Sequence, residues 1–348
     1  MDRHTIKRPT RPLIIAGNGI RLADAIKELN NVLGKGIPCV TTFNGFDLIP
    51  SDHPSFVGRI GAHGTYSGHY ALDMCDLLIC IGTRNNMRQI LFDWNNFAEQ
   101  AYRIGVDIDY QELIKPSVKY DERIWMDAKE YLTNFDKMVD FDIEDGWLSE
   151  CKEYGKKHII ELSQPYEFIK EFTEELPEGS VVVCGNGTAC VGMHQVGIVK
   201  KGQRIFWNSG TATMGYALPA AIGAHFATGK RIYCLTGDGS IMMNLQELQT
   251  IKHYKIPISI IVLNNNGYRS IEMTQENYFK GEYIGCNEES GVSMPHFMNI
   301  AETFGLFYFD SYHDSIKSFI DFKYPSLFNV HIDEKYKFNP KFTAKLEG

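Results

Sequence analysis

Three features that would assign this chain to other classes of protein are absent from its sequence or scarce in it. There is no run of about 18 apolar residues, and no apolar segment of signal-peptide length follows the basic start MDRHTIKRPTRP. The eight cysteines form no C-x-x-C pair, and several, such as Cys80 and Cys234, lie in apolar strand-like runs, as reduced core cysteines do. Basic residues number 35 against 43 acidic ones, and the net charge of −8 argues against nonspecific binding to nucleic acid. We therefore expect a cytoplasmic protein whose partners include neither a membrane nor a nucleic acid.

The 348 residues are enough for two domains of ordinary size, each with its own core. Short β-rich runs alternate with helical patterns along most of the chain, which is typical of doubly wound α/β domains with mainly parallel sheets. The acidic stretch DFDIEDGWLSE interrupts this alternation. We predict a first α/β domain over residues 1–140, a linker over 141–164 and a second α/β domain over 165–348. The predicted strands are 12–16, 37–42, 77–81, 102–107, 180–183, 204–207, 231–236, 258–263 and 326–332, and the predicted helices include 22–33, 165–176 and 216–227.

Residues 231–266 are the unit around which the second domain is organised. Their sequence, RIYCLTGDGSIMMNLQELQTIKHYKIPISIIVLNNN, is typical of a strand, a turn, a helix and a second strand, with Leu245, Leu248 and Ile251 at helical spacing. Such a unit is a right-handed crossover between parallel strands, and ligands bind beyond the carboxyl ends of those strands. The strands end in the polar sequences GDGS and NNN, which the crossover would bring together.

The residues at these two strand ends suit a metal ion and a phosphate group. Asp238 offers a carboxylate oxygen, Asn265 an amide oxygen, and the turn through Gly267 a main-chain carbonyl. Such an all-oxygen set, completed by phosphate oxygens, favours Mg²⁺ or Ca²⁺ over zinc. Gly239 and Ser240 leave main-chain N–H groups uncovered where a helix begins, and phosphates commonly bind at such places. The predicted ligand is a metal-chelated diphosphate.

The same residues carry a family resemblance. The sequence GDGS, the 27 positions from Asp238 to Asn265 and the sequence NNNGY resemble the signature of thiamine-diphosphate enzymes, and GTATMGYALPAAIGA is a second segment similar to that family. The resemblance implies thiamine diphosphate and Mg²⁺ as cofactors, with Asp238, Asn265 and Gly267 as metal ligands. It also implies that Met214 is the bulky residue that bends the cofactor. The implied cofactor-binding residues are Gly187, Thr188, Ala212, Met214, Gly237, Gly239, Ser240, Gly267 and Tyr268.

The first domain resembles the central, Rossmann-like domain of acetohydroxyacid-synthase-like enzymes within that family. The matching segments are PLIIAGNGI, PCVTTFNGFDLIPSDHP, GRIGAHGTYSGHYALDMCDLLICIGTR and IGVDIDYQELIKP. In those relatives the domain holds FAD or an adenine nucleotide, and the corresponding positions here are Gly17, Gly19, Thr41, Thr42, Arg84, Asp107 and Asp109. The sequence NNMR after Arg84 departs from the aromatic and acidic residues usual in flavin-binding synthases, so a domain kept only as a scaffold stays open. The Gly-Asn-Gly turn lacks the third glycine of a dinucleotide fingerprint, which disfavours an NAD-dependent oxidoreductase.

The resemblance implies decarboxylation of a 2-oxo acid such as pyruvate, followed by transfer of the acyl carbanion to an acceptor carbonyl. In the family, a glutamate on a separate pyrimidine-binding domain activates the cofactor. No segment here resembles that domain, so no catalytic residue is assigned. We expect a fragment of a longer enzyme, or a subunit completed by a partner chain, that is inactive alone. Family members hold each cofactor between two subunits, which implies a homo-oligomer.

Other functions remain open at this stage. The family also contains simple 2-oxo-acid decarboxylases and enzymes that act on activated sugars, and the identity of the acceptor would distinguish them. A noncatalytic subunit that binds the cofactor and regulates a partner is the alternative from a different class. After Gly267 the sequence predicts a loop and a helix bordering the cofactor, where Arg269, Glu272 or Gln275 would select the substrate, and a solvated loop is the open alternative.

Overall fold

The computed structural model describes residues 8–92 and 94–342. The chain forms two compact units, one made of the residues up to Glu161 together with those from Asn339, the other of Leu162–Phe338. The ends of the predicted domains, 1–7 and 343–348, lie outside the described residues. Residues 339–342, expected in the second domain, belong to the first unit, where the N–H of Phe342 donates to the carbonyl of Ala62 at 3.0 Å.

The first unit is built on six parallel strands. In chain order they are β1 (Pro12–Ala16), β2 (Cys39–Thr41), β3 (Phe56–Arg59), β4 (Leu77–Ile81), β5 (Tyr102–Asp107) and β6 (Glu122–Trp125). The helices are α1 (Gly19–Leu22), α2 (Ile26–Leu33), α3 (Tyr66–Met74), α4 (Tyr110–Ile114), α5 (Ala128–Thr133), α6 (Phe135–Met138) and α7 (Trp147–Lys157). The sheet order is β3-β2-β1-β4-β5-β6. Adjacent residues of β1, Leu13 and Ile14, enter separate hydrophobic cores, so both faces of the sheet are covered.

Helix α7 lies within the segment expected as a linker, 141–164, and is part of the first unit. Trp147 is buried, and its indole N–H donates to the carbonyl of Pro12 at 2.9 Å. Further along α7, the ring of Tyr154 stacks on that of Tyr70 in α3 with centroids 4.1 Å apart. Large aromatic side chains stabilise by the area they bury, so these anchors give an acidic stretch a fixed place against the domain.

The helix predicted over residues 22–33 is two helices. Helix α1 ends at Leu22, α2 begins at Ile26, and between them Asp24 adopts a φ of 52°. A residue in this left-handed region cannot continue a right-handed helix. The apolar pattern continues across the break because Ile20 of α1 and Leu29 of α2 enter the same core. Periodicity alone therefore could not reveal the interruption.

The second unit is built on six further parallel strands. They are β7 (Val181–Cys184), β8 (Arg204–Trp207), β9 (Ile232–Gly237), β10 (Ile258–Asn264), β11 (Phe307–Asp310) and β12 (Ser326–His331), in the sheet order β11-β12-β10-β9-β7-β8. The helices are α8 (Tyr166–Glu175), α9 (Thr188–Val196), α10 (Ala217–Thr228), α11 (Asp238–Ile241), α12 (Glu247–Tyr254), α13 (Arg269–Tyr278), α14 (Phe297–Phe304) and α15 (Ile316–Asp321). The prediction of two doubly wound α/β domains with mainly parallel sheets is confirmed.

Strand β10 lies in the middle of the second sheet, and all seven of its residues are buried. Its aliphatic sequence is what a strand covered on both faces requires. Strands β3, β6 and β11 were not predicted, and each lies at an edge of its sheet. An edge strand has one neighbour instead of two and can be short and partly exposed, so it needs no continuous apolar run.

All eight cysteines are buried and none forms a disulfide. Among the described helices, none is both long enough and apolar enough to cross a membrane.

Candidate functional site

The turns that follow β7, β9 and β10 lie side by side at the carboxyl edge of the second sheet. Strand β9 pairs with both of the others, with Leu235 opposite Cys184 of β7 and Gly237 opposite Leu263 of β10. Because the strands are parallel, the turns 185–187, 237–240 and 264–267 are neighbours. Predicted site residues that are widely separated in the sequence therefore meet at this edge.

Asp238 is buried at this edge and is held by main-chain N–H groups. Its Oδ1 accepts a hydrogen bond from Gly239 at 2.7 Å, and its Oδ2 accepts from Asn265 and Gly267 at 3.1 Å each. Burial raises the pKa of Asp238 to about 6, although these hydrogen bonds act to lower it. Within residues 8–92 and 94–342, no cationic side chain pairs with this carboxylate. A buried carboxylate of this kind is a place where a metal ion would supply the missing positive charge.

Asn265 and Gly267 provide two neutral oxygen donors beside Asp238. The side-chain amide of Asn265 is buried, and its Nδ2 donates to the carbonyl of Gly267 at 3.1 Å. Rotation of this amide group by a half-turn about the Cβ–Cγ bond would exchange the positions of its nitrogen and its oxygen. One carboxylate with two neutral oxygens fits the preference of Mg²⁺ for hard oxygen ligands. In the described part of the chain, no group of three or more His, Cys, Asp or Glu residues could hold a metal ion, so a metal here requires the neutral oxygens.

Ser240 connects three turns of the site. Its hydroxyl donates to Oδ1 of Asn186 at 3.0 Å and accepts from the N–H of Gly215 at 3.0 Å. The amide of Asn244 adds a second connection, since it donates to the carbonyl of Gly215 at 2.9 Å. The turns 185–187, 212–215 and 237–240 are therefore held together by side chains from a single segment.

Helix α9 begins at this cluster, directly after a glycine. Gly187 has a φ of 60° and precedes the nine-residue helix without a side-chain cap. A β-carbon at Gly187 would lie 3.0 Å from Oγ of Ser270. Thr188, the first residue of α9, shares a hydrogen bond between its hydroxyl and that of Tyr336. The N-terminus of the helix, with its partial positive charge, faces the same edge as Asp238 and suits an anion.

Two glycines allow the chain to approach itself closely here. A β-carbon on Gly239 would lie 1.9 Å from the ring of Tyr268, and one on Gly267 would lie 2.6 Å from the carbonyl oxygen of Cys286. Gly237, in contrast, would place its β-carbon where nothing lies within 4 Å. Gly239 and Tyr268 thus contact each other directly, and neither Gly239 nor Gly267 has room for a side chain.

Ala212 and Met214 lie in the turn before α10, and both are partly exposed. Ala212 has a φ of 53°, and Gly215, at the end of the turn, has a φ of 82°. Since Gly215 is hydrogen-bonded to Ser240, the whole turn is held beside the site. The contacts of Ala212 and Met214 with a cofactor stay predictions.

The residues predicted to select the substrate make contacts within the protein; they are Arg269, Glu272 and Gln275. Arg269 is buried, donates to Glu272 at 3.3 Å and donates from Nε to the main-chain carbonyl of Tyr336 at 3.0 Å. The amide of Gln275 exchanges two hydrogen bonds of 3.1 Å with the main chain of Ile284. These contacts connect α13 to the segments that follow it, and substrate selection by the three residues stays a prediction.

The positions predicted for FAD or an adenine nucleotide lie at the ends of strands in the first unit. A β-carbon on Gly17 would lie 2.1 Å from the carbonyl oxygen of Gly82, so these two turns are in direct contact. The hydroxyl of Thr41 is buried without a hydrogen-bond partner among the described residues, which leaves it available to a ligand. The other contacts are Gly19 with Gly82, Thr42 with Gly45, Arg84 with Glu112, Asp107 with Asp109, and Asp109 with Gln111. Nucleotide or flavin binding here stays a prediction.

Three residues of the cluster were not predicted from the sequence: Asn186, Ser270 and Tyr336. Asn186 lies two residues after the end of β7 and directly precedes Gly187, so its position was a usable signal. Ser270 and Tyr336 carry no motif, and only the folded chain brings them to Gly187 and Thr188.

Comparison with known families identifies both units. Residues 3–135 match the model described as "Thiamine pyrophosphate enzyme, central domain". Residues 185–330 match "Thiamine pyrophosphate enzyme, C-terminal TPP binding domain", where thiamine pyrophosphate (TPP) is a synonym of thiamine diphosphate. All the residues predicted to bind thiamine diphosphate and the metal ion lie within the second match.

Curated proteins similar to this chain include large subunits of acetolactate synthase. The "Acetolactate synthase isozyme 2 large subunit" of Escherichia coli (strain K12) is 28% identical over 356 residues, covering 95% of this chain and 62% of that protein. A "Probable acetolactate synthase large subunit" from Methanocaldococcus jannaschii and another from Methanococcus aeolicus are 32% and 33% identical over 321 residues, covering 86% and 85% of this chain and 53% of either protein. The chain therefore spans 53% to 62% of the length of these curated relatives.

Proposed function

Because this chain belongs to the thiamine-pyrophosphate enzymes of the acetolactate-synthase-like group and carries their central and C-terminal domains, we propose that its second unit binds thiamine diphosphate through Mg²⁺. In this proposal Asp238, Asn265 and the carbonyl of Gly267 hold the metal ion. The diphosphate lies against the start of α9 and the N–H groups of Gly239 and Ser240. The turn that contains Ala212 and Met214 receives the aminopyrimidine and thiazolium rings.

The observation that carries the proposal is the environment of Asp238. Its carboxylate is buried, receives three main-chain hydrogen bonds and has two neutral oxygen donors within reach. A purely structural aspartate at a helix start has no need of a buried asparagine and a buried glycine from the turn after the neighbouring strand. A Mg²⁺ ion that also coordinates phosphate oxygens takes only some of its ligands from the protein, and this site offers such an incomplete set.

For the enzyme to which this chain belongs, we propose decarboxylation of a 2-oxo acid such as pyruvate and transfer of the acyl carbanion to an acceptor carbonyl. The bound cofactor supplies the stabilised carbanion, and the protein supplies binding, orientation and electrostatics. The residues described here bind the diphosphate and fix its position. The glutamate that activates the cofactor would come from outside the two matched domains, in the same polypeptide or in a partner chain, with each site formed between subunits.

The test is calorimetric titration of the purified chain with thiamine diphosphate, with and without Mg²⁺. We expect metal-dependent binding by the wild-type chain and no binding by Asp238→Ala. We also expect no consumption of pyruvate by the chain alone. Binding that does not depend on the metal, or that survives Asp238→Ala, would contradict the proposed site. Turnover of pyruvate by the chain alone would contradict the requirement for an added glutamate.

The three consecutive asparagines supply a matched control. Asn265 faces the site, whereas Asn266 is exposed and bonds to Glu334 at 3.0 Å. Asn265→Ala should lose metal-dependent binding. Asn266→Gly should keep it, because glycine accepts the φ of 57° found at this position. Equal losses in the two variants would mean that the turn, and not a ligand of the metal, had been damaged.

A further inference from the structure

Tyr336 reaches the candidate site from outside the family match, which ends at residue 330. Its side chain is only 4% exposed, and its hydroxyl is hydrogen-bonded to the hydroxyl of Thr188. Thr188 is the first residue of α9, the helix proposed to face the diphosphate. A side chain from the segment after β12 therefore touches the start of that helix.

The position of Tyr336 is held from two sides. Its main-chain carbonyl accepts a hydrogen bond of 3.0 Å from Nε of Arg269, a buried residue that begins α13 two positions after Gly267, a proposed metal ligand. Its ring packs edge-on against Phe338, with centroids 5.5 Å apart. Tyr336 thus connects the segment on the metal side of the site to the start of α9.

The electrostatics favour a protonated hydroxyl at this position. Burial raises the pKa of Tyr336 well above its ordinary value, and the charge of Asp238 acts in the same direction. A protonated Tyr336 can donate its hydrogen to the oxygen of Thr188, whose own hydrogen is then directed elsewhere. Two hydroxyls in series polarise each other, which strengthens the second donor.

We propose that Tyr336 is a positioning residue for diphosphate binding: it donates to Thr188 and so directs the hydroxyl of Thr188 toward a diphosphate oxygen at the start of α9. The inference rests on the proposed function, since it concerns the same site. It adds a residue that acts through Thr188 and does not itself touch the ligand.

The test compares Tyr336→Phe, Thr188→Val, Thr188→Ser and the double variant Tyr336→Phe/Thr188→Val. The readout is the dissociation constant for thiamine diphosphate in the presence of Mg²⁺. Thr188→Val should weaken binding about tenfold, the effect of one hydrogen bond to a charged group, and Tyr336→Phe somewhat less. Thr188→Ser should restore the affinity. The double variant should be no weaker than Thr188→Val alone, because Tyr336 acts through that hydroxyl.

Tyr166→Phe is the matched control. Tyr166 is also buried, and its hydroxyl bonds to Gln195 at the other end of the same helix. This variant should bind the cofactor like the wild-type chain. If it weakens binding as much as Tyr336→Phe, the effect is a general loosening of α9 and the inference fails.

The remaining outcomes separate this inference from the proposed function. Methylenediphosphonate serves as a simple diphosphate analogue. If the wild-type chain with Mg²⁺ binds neither thiamine diphosphate nor this analogue, the proposed function and the present inference are both overturned. If the wild-type chain binds, Asp238→Ala does not, and Tyr336→Phe is unchanged, only the inference is overturned. Should Tyr336→Phe fail to fold, as shown by urea unfolding, the comparison of Thr188→Val with Thr188→Ser decides: equal affinities would overturn the inference.

Discussion

Asp238 and Gly267 lie 29 positions apart, and the carboxylate of the first accepts a hydrogen bond of 3.1 Å from the N–H of the second. This contact joins the end of one buried strand to the turn after the next. It also places the carbonyl of Gly267 on the segment that already holds the carboxylate. The donors proposed for the metal are therefore fixed relative to one another by the fold.

The first prediction concerns the stability of the metal-free chain as a function of pH. Burial raises the pKa of Asp238 from 3.8 to about 6, so the folded state favours the protonated acid more than the unfolded state does. Ionisation of Asp238 then opposes folding. It lowers the free energy of unfolding by roughly 3 kcal/mol above pH 6, and this effect disappears below pH 4. Urea unfolding should show the wild-type chain gaining about that much stability relative to Asp238→Asn as the pH falls from 7 to 4. A constant difference between the two chains would contradict the assignment.

The second prediction concerns the contact of Gly239 with Tyr268. A methyl group at position 239 would lie 1.9 Å from the tyrosine ring, which must then move. Overpacking of this kind destabilises by about 1–3 kcal/mol, so Gly239→Ala should lower the free energy of unfolding by that amount. The double variant Gly239→Ala/Tyr268→Ala should recover part of the loss, because the obstructing ring is gone.

Gly237→Ala is the control for this variant. It lies two residues earlier, and its β-carbon would meet nothing within 4 Å. Its free energy of unfolding should stay within about 0.5 kcal/mol of the wild-type value. If the two alanine variants are equally stable, the Gly239–Tyr268 contact does not constrain the turn.

The third prediction concerns acid sensitivity of the first unit. Burial lowers the pKa of His69 from 6.5 to about 4, against the effect of its hydrogen bond with Gly61. Between pH 6.5 and about 4, His69 therefore binds a proton in the unfolded chain but not in the folded chain. The free energy of unfolding falls as the pH is lowered through this range. Relative to His69→Gln, the wild-type chain should lose roughly 3 kcal/mol over this window and nothing between pH 7 and 8. Parallel stability profiles would show that His69 is not responsible.

The fourth prediction concerns the attachment of α7 to the first unit. Trp147→Phe removes the buried hydrogen bond to Pro12 and should lower the free energy of unfolding by about 1–3 kcal/mol. Trp125→Phe removes an indole hydrogen bond of the same length, 2.9 Å, to Ile108, but Trp125 is 69% exposed. Water can replace that bond, so the change should stay within about 0.5 kcal/mol. Equal effects would mean that burial of Trp147 does not fix the helix.

Strands buried on both faces could be predicted from the sequence because they need a continuous apolar run. The bounds of β1, β4 and β5 agree with the predicted ones. The bounds of the edge strand β8 also agree, because its last three residues are apolar. Edge strands such as β6 follow no such rule, since one side needs no neighbour. The break at Asp24 was also hidden, because both helices contribute to the same core.

For the candidate site, the sequence by itself predicted the ligand chemistry and determined the family. Asp238, Asn265 and their glycines lie in local motifs at the ends of strands, and the parallel crossover requires such ends to meet. Only the tertiary structure decided which side chains hold the site together. Ser240 connects to Asn186 and Gly215, and Tyr336 reaches Thr188, through contacts between segments that share no local pattern. Such contacts depend on the packing of the whole domain, and a sequence motif records only residues that a short stretch of chain places together.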